Sequence, residues 1–141
     1  DFLIGFILLV VVLAGYRQMP GLSLILLPWL LLVLLMTSLG TGMLLSALAV
    51  QYRDVKYGLV FLVQLLMYAA PVVYPTTNVP DSYQTMYALN PMVGVIEGFR
   101  SIFLHTMPFP FFWVGLGSGV SILLFLGGLF FFRKMERLFA D

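Results

Sequence analysis

The sequence predicts an all-α integral membrane protein: four transmembrane helices, plus a re-entrant helical hairpin on the outer side before the last span. Three observations carry that expectation. Of the 141 residues, 62% are hydrophobic and only 9% charged, where a soluble domain carries about 25% charge. Four apolar runs, near residues 2–16, 22–50, 57–74 and 109–132, contain no acidic or basic side chain. Between the third and the fourth lies a segment too apolar for water and too short to cross a bilayer.

The first run is about 22 Å long as a helix, short of the roughly 30 Å of hydrocarbon it should cross. It is expected to be the end of a span that begins upstream, or one that uses Asp1 at the interface. "GYRQMPG" at 15–21 reads as a turn. The second run carries Pro28 near its start, a position that suits the first helical turn. No repeat, low-complexity tract or linker divides the chain, so 1–141 reads as one transmembrane domain.

Charge orients the spans. The 51–57 loop, "QYRDVKY", holds Arg53 and Lys56, and the C-terminal "RKMERLFAD" holds Arg133, Lys134 and Arg137; the other side has only Arg17 and Arg100. The positive-inside rule then makes the 51–57 loop, the C-terminus and Asp1 cytoplasmic. Tyr16, Tyr74 and Trp113 fall at the outer boundary, with Phe130, Phe131 and Phe132 near the inner one.

Residues 75–108 remain outside. Asp81 and Gln84 have capping-box spacing, which predicts a short helix over 82–89. It stops at Asn90, because a residue before proline avoids helical geometry. In "ALNPMVGVIEGFR" at 88–100, Asn90 can cap a second helix and Pro91 suits its first position. That helix, to about residue 104, would be roughly 21 Å long. Buried against protein, the two helices form a hairpin spanning about 81–104 that dips into the membrane. Within it Glu97 and Arg100 stand three apart, on one face.

Composition also excludes chemistry. Cysteine is absent and histidine occurs once, at His105, so thiol catalysis, disulfides and a metal site of Cys or His are excluded within one chain. The net charge of +1 offers no surface for nucleic acid. No serine or carboxylate stands in a catalytic motif with His105, which reads as a solvated interfacial side chain. Proton- or ion-coupled transporters place ionisable groups mid-membrane at a cost of about 2.5–3.5 kcal/mol or more each, and none lies in these spans. No GxxxxGK[ST] is present, so any energy for transport comes from another polypeptide.

Small residues recur every four positions at Ser38, Gly42 and Ser46, and again at Gly115 and Gly119. Such spacing lets helices approach closely in lipid, either within the chain or at a dimer seam. Gln64, the one strongly polar side chain inside the third span, is a helix–helix hydrogen bonder or a substrate contact. Tyr68, Tyr74, Tyr83 and Tyr87 gather around the hairpin and the outer half of that span. Their flat faces and hydroxyls suit sliding over sugar rings, and equally an interfacial belt or core packing.

"QYRDVKYGLVFLVQLLMYAAPVVYP", followed by Val79-Pro80 and "YALNPMVGVIEGFR" at 87–100, resembles the permeases of ABC-type polysaccharide exporters of the type-2 ABC superfamily. These are the O-antigen, capsule and teichoic-acid branch. The resemblance covers essentially the whole chain, and the order and spacing of its motifs carry it. It implies a homodimeric, multi-pass permease of the bacterial cytoplasmic (inner) membrane, surrounded by membrane lipids, with a lipid-linked polysaccharide as substrate. It further implies an ABC ATPase subunit that binds the ATP, so this chain needs no cofactor or metal and is not an enzyme. By resemblance the chain supplies the last four of six spans, and its hairpin is the outer gate. Glu97, Arg100, Asn90, Pro91, Tyr68, Tyr74, Tyr83, Tyr87 and Gln64 are then candidates for channel and gate. Arg53, Asp54 and Lys56 are candidate contacts to the ATPase. Rival readings are a type-2 ABC permease for a drug or small lipid, a channel, and a membrane enzyme of lipid-linked sugars.

The orientation is testable because the chain has no native cysteine. An impermeant thiol reagent on intact cells should label Thr77→Cys and leave Lys56→Cys and Arg137→Cys unlabelled. Labelling of Lys56→Cys from outside reverses the topology.

Overall fold

The structure, a computed structural model, describes residues 2–15, 21–52, 54–72, 74, 76–105 and 107–140, without the side chains of Phe2, Thr77, Asp81 and 137–140. Expectations for Asp1, Tyr16, Arg17, Arg53 and the side chains of Asp81 and Arg137 lie outside the described residues. Among those residues the chain is wholly helical. It comprises α1 (Phe2–Gly15), a 3-10 turn at Leu22–Leu26 running into α2 (Leu27–Gln51), α3 (Val55–Ala69), a second 3-10 turn at Thr76–Asn78, α4 (Asp81–Ala88), α5 (Pro91–Leu104) and α6 (Phe111–Ala140).

Two stretches are long and apolar enough to cross a membrane, Leu22–Gln51 and Phe111–Glu136; Leu3–Gly15 and Val55–Ala69 are apolar but shorter. Each boundary has a local cause. Pro28 lies in the first turn of α2, where its missing amide costs nothing. The third apolar run was expected to stay helical to residue 74, but α3 ends at Ala69. Pro71 follows, and it pushes Ala70 into extended geometry (ψ 147°). The last helix runs eight residues past the expected end at 132, because "RKMERLFA" contains no breaker.

In the hairpin, Asn90 accepts a hydrogen bond from the Met92 amide (3.1 Å) and caps α5. The capping box expected for α4 rests on the Asp81 side chain and lies outside the described residues. Pro80 is the N-cap and makes no side-chain bond, and Gln84 donates to the Val79 carbonyl (3.3 Å). Helix α5 ends at His105, in the left-handed region (φ 52°), whose amide bonds Ser101 O (3.2 Å).

Helices α2, α5 and α6 pack into one body, and glycines set the distances between them. A Cβ at Gly40 would stand 2.6 Å from the backbone of Leu124 and Phe125, and one at Gly128 would stand 2.5 Å from Gly40 O. A Cβ at Gly94 would meet Trp113 O at 2.7 Å. Only hydrogen fits at these crossings, which is how helices gain dispersion contact where lipid offers no hydrophobic drive. Polar links join α2 to α6 as well: Trp29 Nε1 donates to Ser118 Oγ (3.1 Å), and the buried Thr37 and Ser121 hydroxyls lie 2.8 Å apart. Leu30, Ile102, Phe103 and Val114 fill the centre, with Leu13 of α1 reaching in.

The stripe singled out from sequence makes no close helix crossing among the described residues of this chain. Gly42, Gly115 and Gly119 have nothing within 4 Å of a built Cβ, and Ser38 and Ser46 are exposed. Gly42 lies two residues from Gly40, about 200° around the helix, so the two glycines face opposite ways. Within this chain the close approach belongs to Gly40 and Gly128.

Helix α3 differs from α5. No residue of α3 is buried, with Phe61 72% and Leu65 68% exposed, whereas nine residues of the 14-residue α5 are buried. Exposed apolar surface on this scale is what lipid or another chain covers.

The packing predicts opposite outcomes for two neighbouring glycines. Gly40→Ala should destabilise the body by about 1–3 kcal/mol through overpacking and lower the yield of folded protein in detergent. Gly42→Ala should be neutral or stabilising by up to about 1 kcal/mol, since alanine is the better helix former. Thermal unfolding of the two variants checks this; equal losses contradict the assigned faces.

Candidate functional site

The charges of the hairpin meet at the C-terminal end of α3. Glu97 lies on the face of α5 turned into the body and has 0% exposure. One turn on, Arg100 places Nη1 2.5 Å from Glu97 Oε1, with its side chain 20% exposed. The same guanidinium donates through Nη2 to the carbonyl of Pro71 (3.0 Å). Glu97 Oε1 also accepts from the backbone amide of buried Thr76 (3.3 Å). The pair therefore fastens two points of the strand of chain that leaves α3 onto α5.

Asn90 adds a third point. While its Oδ1 caps α5, its Nδ2 donates to the carbonyl of Ala69 (3.1 Å), the last residue of α3. The final carbonyls of any helix lack partners within it. Here Leu66 O receives the Ala70 amide (3.1 Å), Tyr68 O the Tyr74 hydroxyl (3.0 Å) and Ala69 O the Asn90 amide. The end of α3 is thus capped largely by side chains beyond it. The Arg100 cation also sits where the helix dipole places partial negative charge.

Two tyrosines close the side next to α4. Tyr74 and Tyr87 stack with ring centroids 6.4 Å apart, and their hydroxyls are 2.5 Å apart. Burial, then the Tyr74 hydrogen bond, raises the pKa of Tyr87, so its hydroxyl stays protonated as a donor. Beside this cluster a cleft of about 390 Å³ separates α3 from α2 and α6. Thr37, Ser38 and Thr41 line one wall, Val63, Leu66 and Met67 the other, and Asn90, Pro91 and Met92 the roof.

Of the residues singled out from sequence, Glu97, Arg100, Asn90, Pro91, Tyr74 and Tyr87 come together here, and Tyr68 joins through its backbone carbonyl. Tyr83 and Gln64 are exposed and stand apart from the cluster. Asp54 and Lys56 are exposed at the opposite end of α3; Arg53 lies outside the described residues. Sequence reading missed Thr76 and the carbonyls of Ala69 and Pro71. Backbone atoms leave no mark in a residue pattern, although Pro71 did signal that α3 must end there.

Residues 1–104 match the ABC-2 type transporter family. The chain is 29% identical to the O-antigen export system permease protein RfbA of Myxococcus xanthus, over all of this chain and 55% of that protein. It is 25% identical to a protein of the same name from Klebsiella pneumoniae, over 94% of this chain and 51% of that protein. The chain thus spans about half the length of these curated relatives. No solved structure matches it. With the family matched across the α1–α5 region that builds the clamp, this all-helical membrane protein belongs to the ABC-2 type transporters.

Proposed function

We propose that the chain is the membrane-spanning permease subunit of an ATP-driven exporter that moves a lipid-linked polysaccharide out of the cytoplasm. It works as a homodimer in the cytoplasmic membrane, with a separate ABC ATPase docked near Asp54 and Lys56, and it has no catalytic chemistry of its own. The names of its relatives support the substrate class. In this reading α1 and α3 are spans alongside α2 and α6, and α4–α5 is a re-entrant hairpin at the outer mouth. The Ser38–Gly42–Ser46 stripe, exposed in the single chain, suits the dimer seam.

One observation carries the mechanistic part: a fully buried carboxylate, paired with an arginine, ties the end of α3 to the largely apolar α5. A surface pair at this spacing contributes only about 0.2–0.5 kcal/mol. Removing one partner of a buried pair costs roughly 3–5 kcal/mol, and the partial exposure of Arg100 places this one toward the lower end. That is enough to hold the outer mouth closed against thermal motion, and small enough for substrate and ATP-driven motion to undo. Tyr74 and Tyr87 border the opening with flat faces suited to weak, sliding contact with sugar rings.

Glu97→Gln leaves Arg100 without a counter-ion, so the guanidinium turns to water and releases Pro71 O. Arg100→Gln removes the link directly. Both variants should assemble with the ATPase and hydrolyse ATP while surface polysaccharide is lost or uncoupled. The exchange of both charges, Glu97→Arg with Arg100→Glu, restores an ion pair but sets a carboxylate against the Pro71 carbonyl. It should therefore fail to restore export. Immunodetection of surface polysaccharide, beside ATPase rates, checks all three; wild-type export in both single variants contradicts the clamp.

A further inference from the structure

We propose that an enclosed water molecule joins Glu97 Oε2 to the Thr76 hydroxyl and is a working part of the clamp. The site rests on the export-permease reading for its role, though not for its existence. Two buried atoms carry it. Glu97 is 0% exposed and uses one oxygen, Oε1, for both the Arg100 guanidinium and the Thr76 amide. Its Oε2 is buried with no hydrogen-bond partner. Thr76 is 1% exposed, and its Oγ1 is likewise buried and unpartnered. Among the described residues no other buried side-chain oxygen or nitrogen lacks a partner, and these two belong to residues already bonded to each other.

Buried polar atoms are almost always satisfied, and a charged oxygen left dry is the costliest exception. Both atoms are covered by this chain alone, so no partner subunit, further span or lipid headgroup reaches them while the fold stands. Whatever satisfies them sits inside and is small. Its charge is also constrained. Arg100 already stands on Oε1, and a second cation beside the same carboxylate would be repelled by the guanidinium. Hard cations also call for about six or more oxygen ligands, more than Oε2 and Oγ1 provide. A neutral donor fits instead. An ionised carboxylate oxygen only accepts, whereas a threonine hydroxyl both donates and accepts. One water donates a proton to Oε2 and accepts the Thr76 hydroxyl proton on its own lone pair, which meets the lower limit of hydrogen bonds for a buried water. Thr76 opens the 3-10 turn Thr76–Asn78 that leads toward α4. The carboxylate therefore grips that turn twice, directly at the amide and through water at the hydroxyl. Thr76 is a positioning residue, acting on the Arg100 link only through Glu97.

The test uses the full-length permease assembled with its ATPase in nanodiscs, as wild type, Thr76→Val and Thr76→Ser. Cryo-electron microscopy that resolves ordered water should show, in the wild type, a peak about 2.7–3.0 Å from both Glu97 Oε2 and Thr76 Oγ1. Valine keeps the shape of threonine without the hydroxyl, so the peak should vanish in Thr76→Val and persist in Thr76→Ser. Amide exchange at position 76, corrected for intrinsic rates, should be roughly five- to tenfold faster in Thr76→Val, the loss of about one hydrogen bond. It should stay close to wild type in Thr76→Ser. No peak in the wild type, a direct Oε2–Oγ1 hydrogen bond, a peak at the shorter distance of a cation, a peak that survives in Thr76→Val, or equal exchange in the two variants overturns the proposal. Should Thr76→Val not fold, the wild-type and Thr76→Ser maps decide. Neither readout needs polysaccharide or export, so an error in the assigned function leaves this result standing.

Discussion

A carboxylate with no exposed surface is expensive to keep in an apolar environment, and Glu97 offsets part of that cost through two partners on one oxygen, the Arg100 guanidinium and the Thr76 amide, while its Oε2 has none among the described residues. A buried ionised group without a partner would cost several kcal/mol. The converse matters more here. Because the pair is satisfied only when both partners, Pro71 O and the Thr76 amide are in place, it specifies one position for the chain that leaves α3. Without it the Pro71 carbonyl would lose its charged donor, leaving the Asn90 and Tyr74 bonds to hold the end of α3.

The scaffold beneath this clamp is rigid for a different reason. Gly40 and Gly128 bring α2 and α6 close enough that no side chain fits between them, and the Thr37–Ser121 and Trp29–Ser118 bonds hold their register. Helix α5 lies against both, so Glu97 and Arg100 project from a fixed platform. Helix α3 shares none of that packing. The clamp therefore joins a helix set by packing to one whose apolar faces this chain leaves uncovered.

Much of this was legible in sequence. Asn90 and Pro91 announced the start of α5, since a capping side chain followed by proline has few other uses, and the helix begins there. The i, i+3 spacing of Glu97 and Arg100 announced their pairing, because both had to share a face. What escaped has physical causes. The periodicity of Ser38, Gly42 and Ser46 is genuine, but periodicity does not say which way a face points, and the residue in contact is Gly40, on the buried face with Val33, Thr37 and Ala47. Gln84 reaches Val79 O, another backbone acceptor that no residue pattern marks. The clamp was half visible: its charges are side chains, but its targets at 69, 71 and 76 are backbone atoms. The charge exchange that a simple ion pair would tolerate is therefore predicted to fail.

The central claim, that Glu97 pins the segment after α3, has a direct readout in backbone amide exchange of the protein in lipid nanodiscs. In Glu97→Leu the volume of the site is kept while the acceptor for Thr76 is removed. Peptides covering 70–76 should then exchange faster, with α2 and the α2-facing part of α6 protected as in the wild type. Unchanged protection at 70–76 would contradict the account, because the segment would then be held in place without the carboxylate.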